Sequence, residues 1–424
     1  MVFDAAAAPL AAQDTTQVRI GLTYQAGAQP TVAVLPVGGA GGDSAGAIIA
    51  RDLDYSDRMR VTSGSGAAAY ASALGDDGAA PNYALWQRLG AAGVVHADMI
   101  PNGIRVRLHD VQGQRLATAR DFPLDGAPLS GQWRMSMHGV SDEIERWVTG
   151  TRGIAQTRVA FVRGGRLHVV DSDGAMEDAV TQGGGALSPS WHPSGNAIAY
   201  SAFGDRGTEI RVVDLSSNST RRLSGATSGL NITPDWTPRG DSIVFAHAEE
   251  SGTDLFVASA SGGGTARRIT VGRGTDNTSP SLSPDGRRLA FTSGRSGHPE
   301  IYTVDMDGAN AELLTPFRIG EQSYRSSPSW SPDGRLVAFQ ARVAGQFQIM
   351  TINLRDRAMR QLTSEGTNED PSFAPDGRHL VFTSTRSGVR QIWVLDVETG
   401  RARQLTRQGG SRLAAWSRVL PPTP

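Results

Sequence analysis

Gly42-Asp43-Ser44-Ala45-Gly46 is the stretch that most resembles a reaction centre. It fits G-x-S-x-G, follows a strand-like run and opens a helical pattern, the setting of a nucleophile elbow. A hydrolase of that kind needs roughly twice the residues that precede the repeats described below, so Asp43 or Ser44 reads instead as a helix cap. All 41 basic residues are arginine, which excludes Schiff-base chemistry, a Walker-type phosphate lysine and a Ser-Lys pair. Cysteine is absent, and with it thiol catalysis, disulfides and thiolate metal sites. The eight histidines are scattered without i, i+4 pairing, so spacing identifies no histidine metal centre. Asp171-Ser172-Asp173-Gly174 and Asp305-Met306-Asp307-Gly308 hint at calcium loops, but the twelfth position of the second is Pro316 where a glutamate is needed. Both read as Asp-Gly hairpin turns. Catalytic, cofactor-binding and metal-binding residues are all expected to be absent.

The elements that would position any site come from a chain of 424 residues with 51 glycines and 22 prolines, a turn-rich composition. The 41 bases nearly cancel 42 acids, leaving no global field for nucleic acid or an anionic membrane. No apolar run reaches the roughly 18 residues that a membrane span requires. The small, apolar start (residues 1–16, with Ala5–Ala12 at its centre) reads as a secretory signal remnant or a disordered tail. The lack of cysteine is compatible with an oxidising compartment.

From residue 158 the chain repeats itself. Pro189-Ser190-Trp191, Pro234-Asp235-Trp236, Pro280-Ser281-Leu282, Pro328-Ser329-Trp330 and Pro371-Ser372-Phe373 are cousins, and Trp416 ends a partial copy. The anchors at 191, 236, 282, 330, 373 and 416 are spaced by 45, 46, 48, 43 and 43 residues. A Pro-Asp-Gly-type turn, an Ala-Phe strand, a strand ending in Asp, Asn or Ser, and a Leu-Thr element follow in each copy. This grammar describes propeller blades, and the Ala-Phe strand, the strand ending in Asp, Asn or Ser and the Leu-Thr element each occur six times. Residues 411–419 are expected to complete the blade begun at Arg158, removing an open edge. The recurring tryptophans are expected to pack between blades.

Residues 17–150 do not repeat. Strands are expected at Val18–Tyr24 and Thr31–Val37, helices at Ser44–Leu53, Tyr83–Leu89 and Gln132–Val148, and a meander over Val94–Ile100, Ile104–Val111 and Leu116–Leu124. In the last of these helices Met135, Val140, Ile144, Trp147 and Val148 lie near helical spacing, and Gly150 fits its C′ position. The fold class is therefore an α/β N-terminal domain (17–150) followed by an all-β six-bladed β-propeller (158–420). Before each Pro-x-Trp strand stand variable polar residues: Asn231, Asn277 with Thr278, Tyr324 with Arg325, and Glu369 with Asp370. Arg295 and Arg386 follow Ala-Phe-type strands in Ser-Gly-Arg-Ser-Gly and Ser-Thr-Arg-Ser-Gly. Loops on one face of a propeller surround its mouth, so these residues are candidate partner contacts.

The whole chain resembles the TolB family of the Tol–Pal envelope system. The likeness rests on Val18-Arg19-Ile20 with Val32–Pro36, on Ile48–Leu53 with Ser56-Asp57-Arg58, and on Trp86–Ala92 leading to Val94-Val95 and Arg107–Val111. It continues through His138–Asp142, Val148–Gly153 and Arg158–Val162 into the repeats. The resemblance implies a non-enzymatic periplasmic adaptor, expected to be monomeric and without cofactor. It would bind the lipoprotein Pal through the propeller rim and signal to TolA through Val18, Arg19, Ile20 and Leu22, serving outer-membrane integrity and constriction at division. Thr23–Gly27 departs from the family's Asp-Ser-Gly-like segment. The alternative is a peptide- or sugar-binding propeller related to those of prolyl peptidases but lacking their hydrolase domain.

Overall fold

The computed structural model describes residues 22, 29–63, 80–204, 207–223, 229–250, 252–272, 275–318, 320 and 323–418. The α/β domain runs β1 (Thr31–Val34), α1 (Gly42–Tyr55), β2 (Arg60–Ser63), α2 (Tyr83–Arg88), β3 (Gly93–Ile100), β4 (Gly103–Asp110), β5 (Arg115–Pro123) and α3 (Gly131–Thr149). Its sheet has the order β2-β1-β3-β4-β5, with β1 parallel to both neighbours and the rest antiparallel. Period-two patterning turns Ile104, Val106 and Leu108 onto one face, where Ile48, Ile49 and Leu53 of α1 and Val140, Ile144 and Trp147 of α3 cover them. His109 is buried beyond a register shift after Leu108, with Nδ1 2.9 Å from the Tyr83 hydroxyl.

β2 is a strand the sequence analysis did not include, and one local expectation changes. α1 has no side-chain cap: its N-cap is Gly41 at φ 83°, so neither Asp43 nor Ser44 serves as one. A Cβ at Gly42 would lie 2.1 Å from the Val37 carbonyl oxygen, so close packing against β1's exit demands glycine there. Asn82 and Ser130 do cap α2 and α3, and Gly150 at φ 80° ends α3. The strand expected at Val18–Tyr24 lies outside the described residues except for Leu22, which is buried in the domain core.

The repeats build a propeller-type ring of antiparallel sheets. β17 (Asn277–Leu282) to β20 (Glu312–Leu313), β21 (Arg325–Trp330) to β24 (Met359–Gln361), and β25 (Asn368–Phe373) to β28 (Ala402–Gln404) each form a four-stranded sheet. A fourth joins β29 (Arg412–Trp416) to β6 (Arg158–Arg163), β7 (Arg166–Asp171) and β8 (Asp178–Ala179), with Ala415 opposite Ala160. The repeats from β9 (Ala186–Trp191) to β12 (Thr220–Arg222) and from β13 (Gly229–Trp236) to β16 (Arg267–Arg268) share one eight-stranded sheet. The hydrogen bonding therefore does not divide into six separate sheets. The join is a parallel contact of Gly207-Thr208 with Gly229-Leu230, and a Cβ at Gly207 would meet the Gly229 oxygen at 2.4 Å.

Each inner strand carries a kink at a left-handed residue: Ser188, Thr233, Ser279, Ser327, Asp370 and Leu413, five of them preceding proline. The kink turns the backbone N–H away from its own ladder, and the preceding repeat supplies an acceptor. Thr233 N–H donates to Ser201 Oγ at 3.1 Å, Ser327 to Thr292 Oγ1 at 3.1 Å, Asp370 to Gln340 Oε1 at 2.8 Å and Leu413 to Thr383 Oγ1 at 3.1 Å. Between sheets, the Ala-Phe phenylalanines (Phe161, Phe245, Phe291, Phe339, Phe382) are fully buried. Trp191 and Trp416 also lie in the packing, donating to Ala415 O and Thr157 Oγ1. The two Asp-Gly segments are hairpin turns, closed by Gly174 N–H to Asp171 O and Gly308 N–H to Asp305 O.

Candidate functional site

Strand register sorts the ring into two ends. Asn277 pairs with Ser293 and Ser293 with Glu300, so the starts of inner strands share one end with the hairpins between the second and third strands. We call this end the mouth. Leu282 pairs with Leu289 at the other end, beside the Ser-Pro-Asp-Gly turns.

At the mouth a buried polar node repeats. Thr315, of the Leu-Thr element, donates to Glu300 Oε2 at 2.6 Å and accepts from Ile301 N–H; Arg325 Nη1 of the next repeat donates to Glu300 Oε2 at 3.0 Å. Thr270, Asp254 and Asn277 form the same node, as do Thr363, Gln348 and Asn368. Asn231 bonds Thr208 O and His247. The expectation of exposed rim contacts therefore changes for Asn231, Asn277 and Arg325. They are buried, and their polar atoms stitch one repeat to the next. Asn368 was missed, although it stands before Pro371 as Asn277 stands before Pro280.

Other candidates do face outward. Arg295 and Arg386 are held in one pose: Nε donates to Ser293 or Ser384, Nη2 to Asn277 or Asn368. Each guanidinium stacks on two rings, Arg295 4.7 Å from the Tyr302 centroid and Arg386 5.0 Å from that of Trp393. Tyr324 is 40% exposed and braced edge-on by Phe347 at 5.3 Å. Thr278 and Glu369 are half-buried, whereas Asp370 turns its carboxyl inward to the channel. Large exposed apolar side chains absent from the sequence reading join them here: Phe203, Leu230, Val271 and Val389. Below the mouth runs a channel of about 740 Å³ lined by Ser190, Asp235, Ser281, Ser329, Asp370 and Ser372 among others. Burial pushes the Asp235 and Asp370 carboxyls up to about 6.

The α/β domain docks at the opposite end, through charge. Arg58 reaches Asp376, Arg401 pairs with Asp54 and Asp57, and Arg403 stacks 4.1 Å from the Tyr55 ring centroid. Asp142 of α3 accepts from Ala155 and Gln156 N–H, fixing the linker. Fully buried His379 lies 2.7 Å from Asp376 and 3.3 Å from Asp57 across the seam. Burial alone would lower its pKa, but hydrogen bonds to Asp376 and Asp57 and their charges outweigh that and raise it to about 9. Its contribution is complete below the unfolded value near 6.5 and is lost as pH rises through 9. Stability measured by denaturant titration is expected to fall between pH 7 and 10 by on the order of 2–3 kcal/mol. In His379→Gln that alkaline decline should shrink, and an unchanged decline would contradict the assignment.

Comparison with known proteins agrees with this architecture. Residues 145–419 match the family described as TolB beta propeller domain. A Tol-Pal system protein TolB of Bordetella pertussis is 34% identical over 309 residues, covering 70% of this chain and 67% of the relative. Its counterpart in Bordetella parapertussis is 40% identical over 211 residues, 48% of this chain and 47% of that one. The crystal structure of TolB from Acinetobacter baumannii superposes with a TM-score of 0.77 at 26% identity, covering 92% of this chain and 97% of that chain. With its propeller matched along its length and its sequence shared with Tol-Pal proteins over more than two thirds of the chain, this protein belongs to the TolB family.

Proposed function

We propose that this chain is a non-enzymatic periplasmic adaptor of the Tol–Pal system that binds the lipoprotein Pal at the propeller mouth. The observation that carries the reading is the mouth itself. Phe203, Leu230, Val271, Tyr324 and Val389 expose apolar surface at the end of the ring that also carries the ring-stacked Arg295 and Arg386, and the other end is occupied by the α/β domain. Exposed apolar side chains rimmed by polar groups favour docking of a folded partner. A rigid rim loses little conformational entropy when it binds. In this reading the ring is six-bladed, the eight-stranded sheet counting as two blades. The membership supports a role in outer-membrane integrity and division, with Val18, Arg19, Ile20 and Leu22 reporting to TolA.

Ser44 lies within α1 and is not among the positive-φ residues, so it lacks the strained turn of a nucleophile elbow. Among the described residues no helix is long and apolar enough to cross a membrane. The test is calorimetric titration of Pal into wild type and Tyr324→Ala. Tyr324 is an exposed, braced aromatic, so its loss should weaken binding by about 1–3 kcal/mol with the fold intact. Equal affinities would remove Tyr324 from the interface.

A further inference from the structure

We infer that the domain seam holds a site for one divalent cation of the zinc class, centred on His138. His138 of α3 is fully buried, and its Nδ1 lies 2.8 Å from Asp52 Oδ2 of α1. Its Nε2 has no hydrogen-bond partner and faces Asp171 Oδ2, at the end of β7, across 4.0 Å. That oxygen is also buried and also without a partner. One ligand atom from each of Asp52, His138 and Asp173 lies within 4.8 Å of the others.

A gap of 4.0 Å is too long for a hydrogen bond. It is close to the sum of a zinc–nitrogen distance of about 2.0–2.1 Å and a zinc–oxygen distance of about 2.0–2.2 Å. A tetrahedral angle at the ion would draw the two atoms together to about 3.4 Å, a shift of roughly half an ångström. Asp52 occupies the outer-shell place of metal-binding histidines: accepting from Nδ1–H, it holds the ring with Nε2 aimed at Asp171, and an entering ion would displace the Nε2 proton to solvent. Asp173, which groups with His138 and Asp52, would be the third donor. It accepts from Arg51 at 2.9 Å, Arg134 at 2.6 Å and Ala175 N–H at 2.9 Å, and Asp171 Oδ1 holds Arg158 at 3.1 Å. An entering cation loosens one of the arginine contacts on Asp173. Imidazole and carboxylate without thiolate suit Zn²⁺ or Co²⁺, and disfavour Cu(I) and the all-oxygen preference of Ca²⁺ and Mg²⁺. Two helices of the α/β domain and one turn of the ring supply the site, so the ion would cross-link the domains.

The full chain, stripped with chelator, is titrated with ZnCl₂ by calorimetry, and Co²⁺ is added in parallel to read ligand-field bands. One equivalent of Zn²⁺ is expected, with a rise in melting temperature, and at least tenfold weaker binding in both His138→Gln and Asp171→Asn. Absence of binding to wild type overturns the site, leaving a proton to fill the gap. So does wild-type affinity retained by either variant that folds. If His138→Gln fails to fold, Asp171→Asn decides the question.

Discussion

Deleting residues 411–424 is expected to unfold the ring, not merely trim it. β29 supplies buried Ala414, Ala415 and Trp416 to the sheet that begins the propeller. Trp191 Nε1 donates to Ala415 O at 3.1 Å and Trp416 Nε1 to Thr157 Oγ1 at 2.8 Å. Arg158 N–H donates to Ser417 Oγ at 2.8 Å, and Ser417 N–H returns to Arg158 O. Removing a buried tryptophan alone costs about 3–5 kcal/mol, against a total stability of about 5–15 kcal/mol. The deletion also frees the edge of β6, which invites aggregation. Scanning calorimetry should show a melting temperature lower by at least about 10 °C, or no cooperative transition. A truncated chain melting with the full one would contradict closure by β29.

Arg325→Ala should act on folding before it acts on any partner. The Arg325 side chain is 10% exposed and pairs with Glu300, which is completely buried. Removing the guanidinium leaves a buried carboxylate held by Thr315, Ser323 and His298, at a cost of about 3–5 kcal/mol. The double variant Glu300→Gln/Arg325→Met removes both charges and should recover more than half of the loss in chemical denaturation. A single variant as stable as wild type would show that the pair is not the keystone of its node. Tyr324, one residue earlier and exposed, reports on binding where Arg325 reports on the scaffold.

This division between neighbours marks what the sequence could convey. Trp191, Trp236, Trp330 and Trp416, the Pro-Asp-Gly turns and the Leu-Thr elements are local patterns. Their period disclosed the propeller class and the pairing of the last strand with Arg158–Arg163. The inner strands were harder. A residue such as Ser279 at φ 51° breaks the alternation, so Asn277 reads as a loop although it pairs with Ser293 inside a strand. The shared eight-stranded sheet depends on Gly207 and Gly229 approaching each other, which no periodicity announces. The seam joins residues more than 300 positions apart, such as Asp57 and His379, and individually they look like ordinary surface charges. Phe203, Leu230, Val271 and Val389 come to the mouth from three different repeats, so their shared exposure emerges only in three dimensions.

Hydrogen–deuterium exchange of the full chain with and without Pal tests the central claim most directly. Docking at the mouth predicts slowed exchange around residues 201–204, 229–232, 275–278, 323–326 and 385–391, with the Ser-Pro-Asp-Gly turns at 283–286 and 331–334 unchanged. Protection confined to those turns or to the α/β domain, in a complex confirmed to have formed, would contradict it.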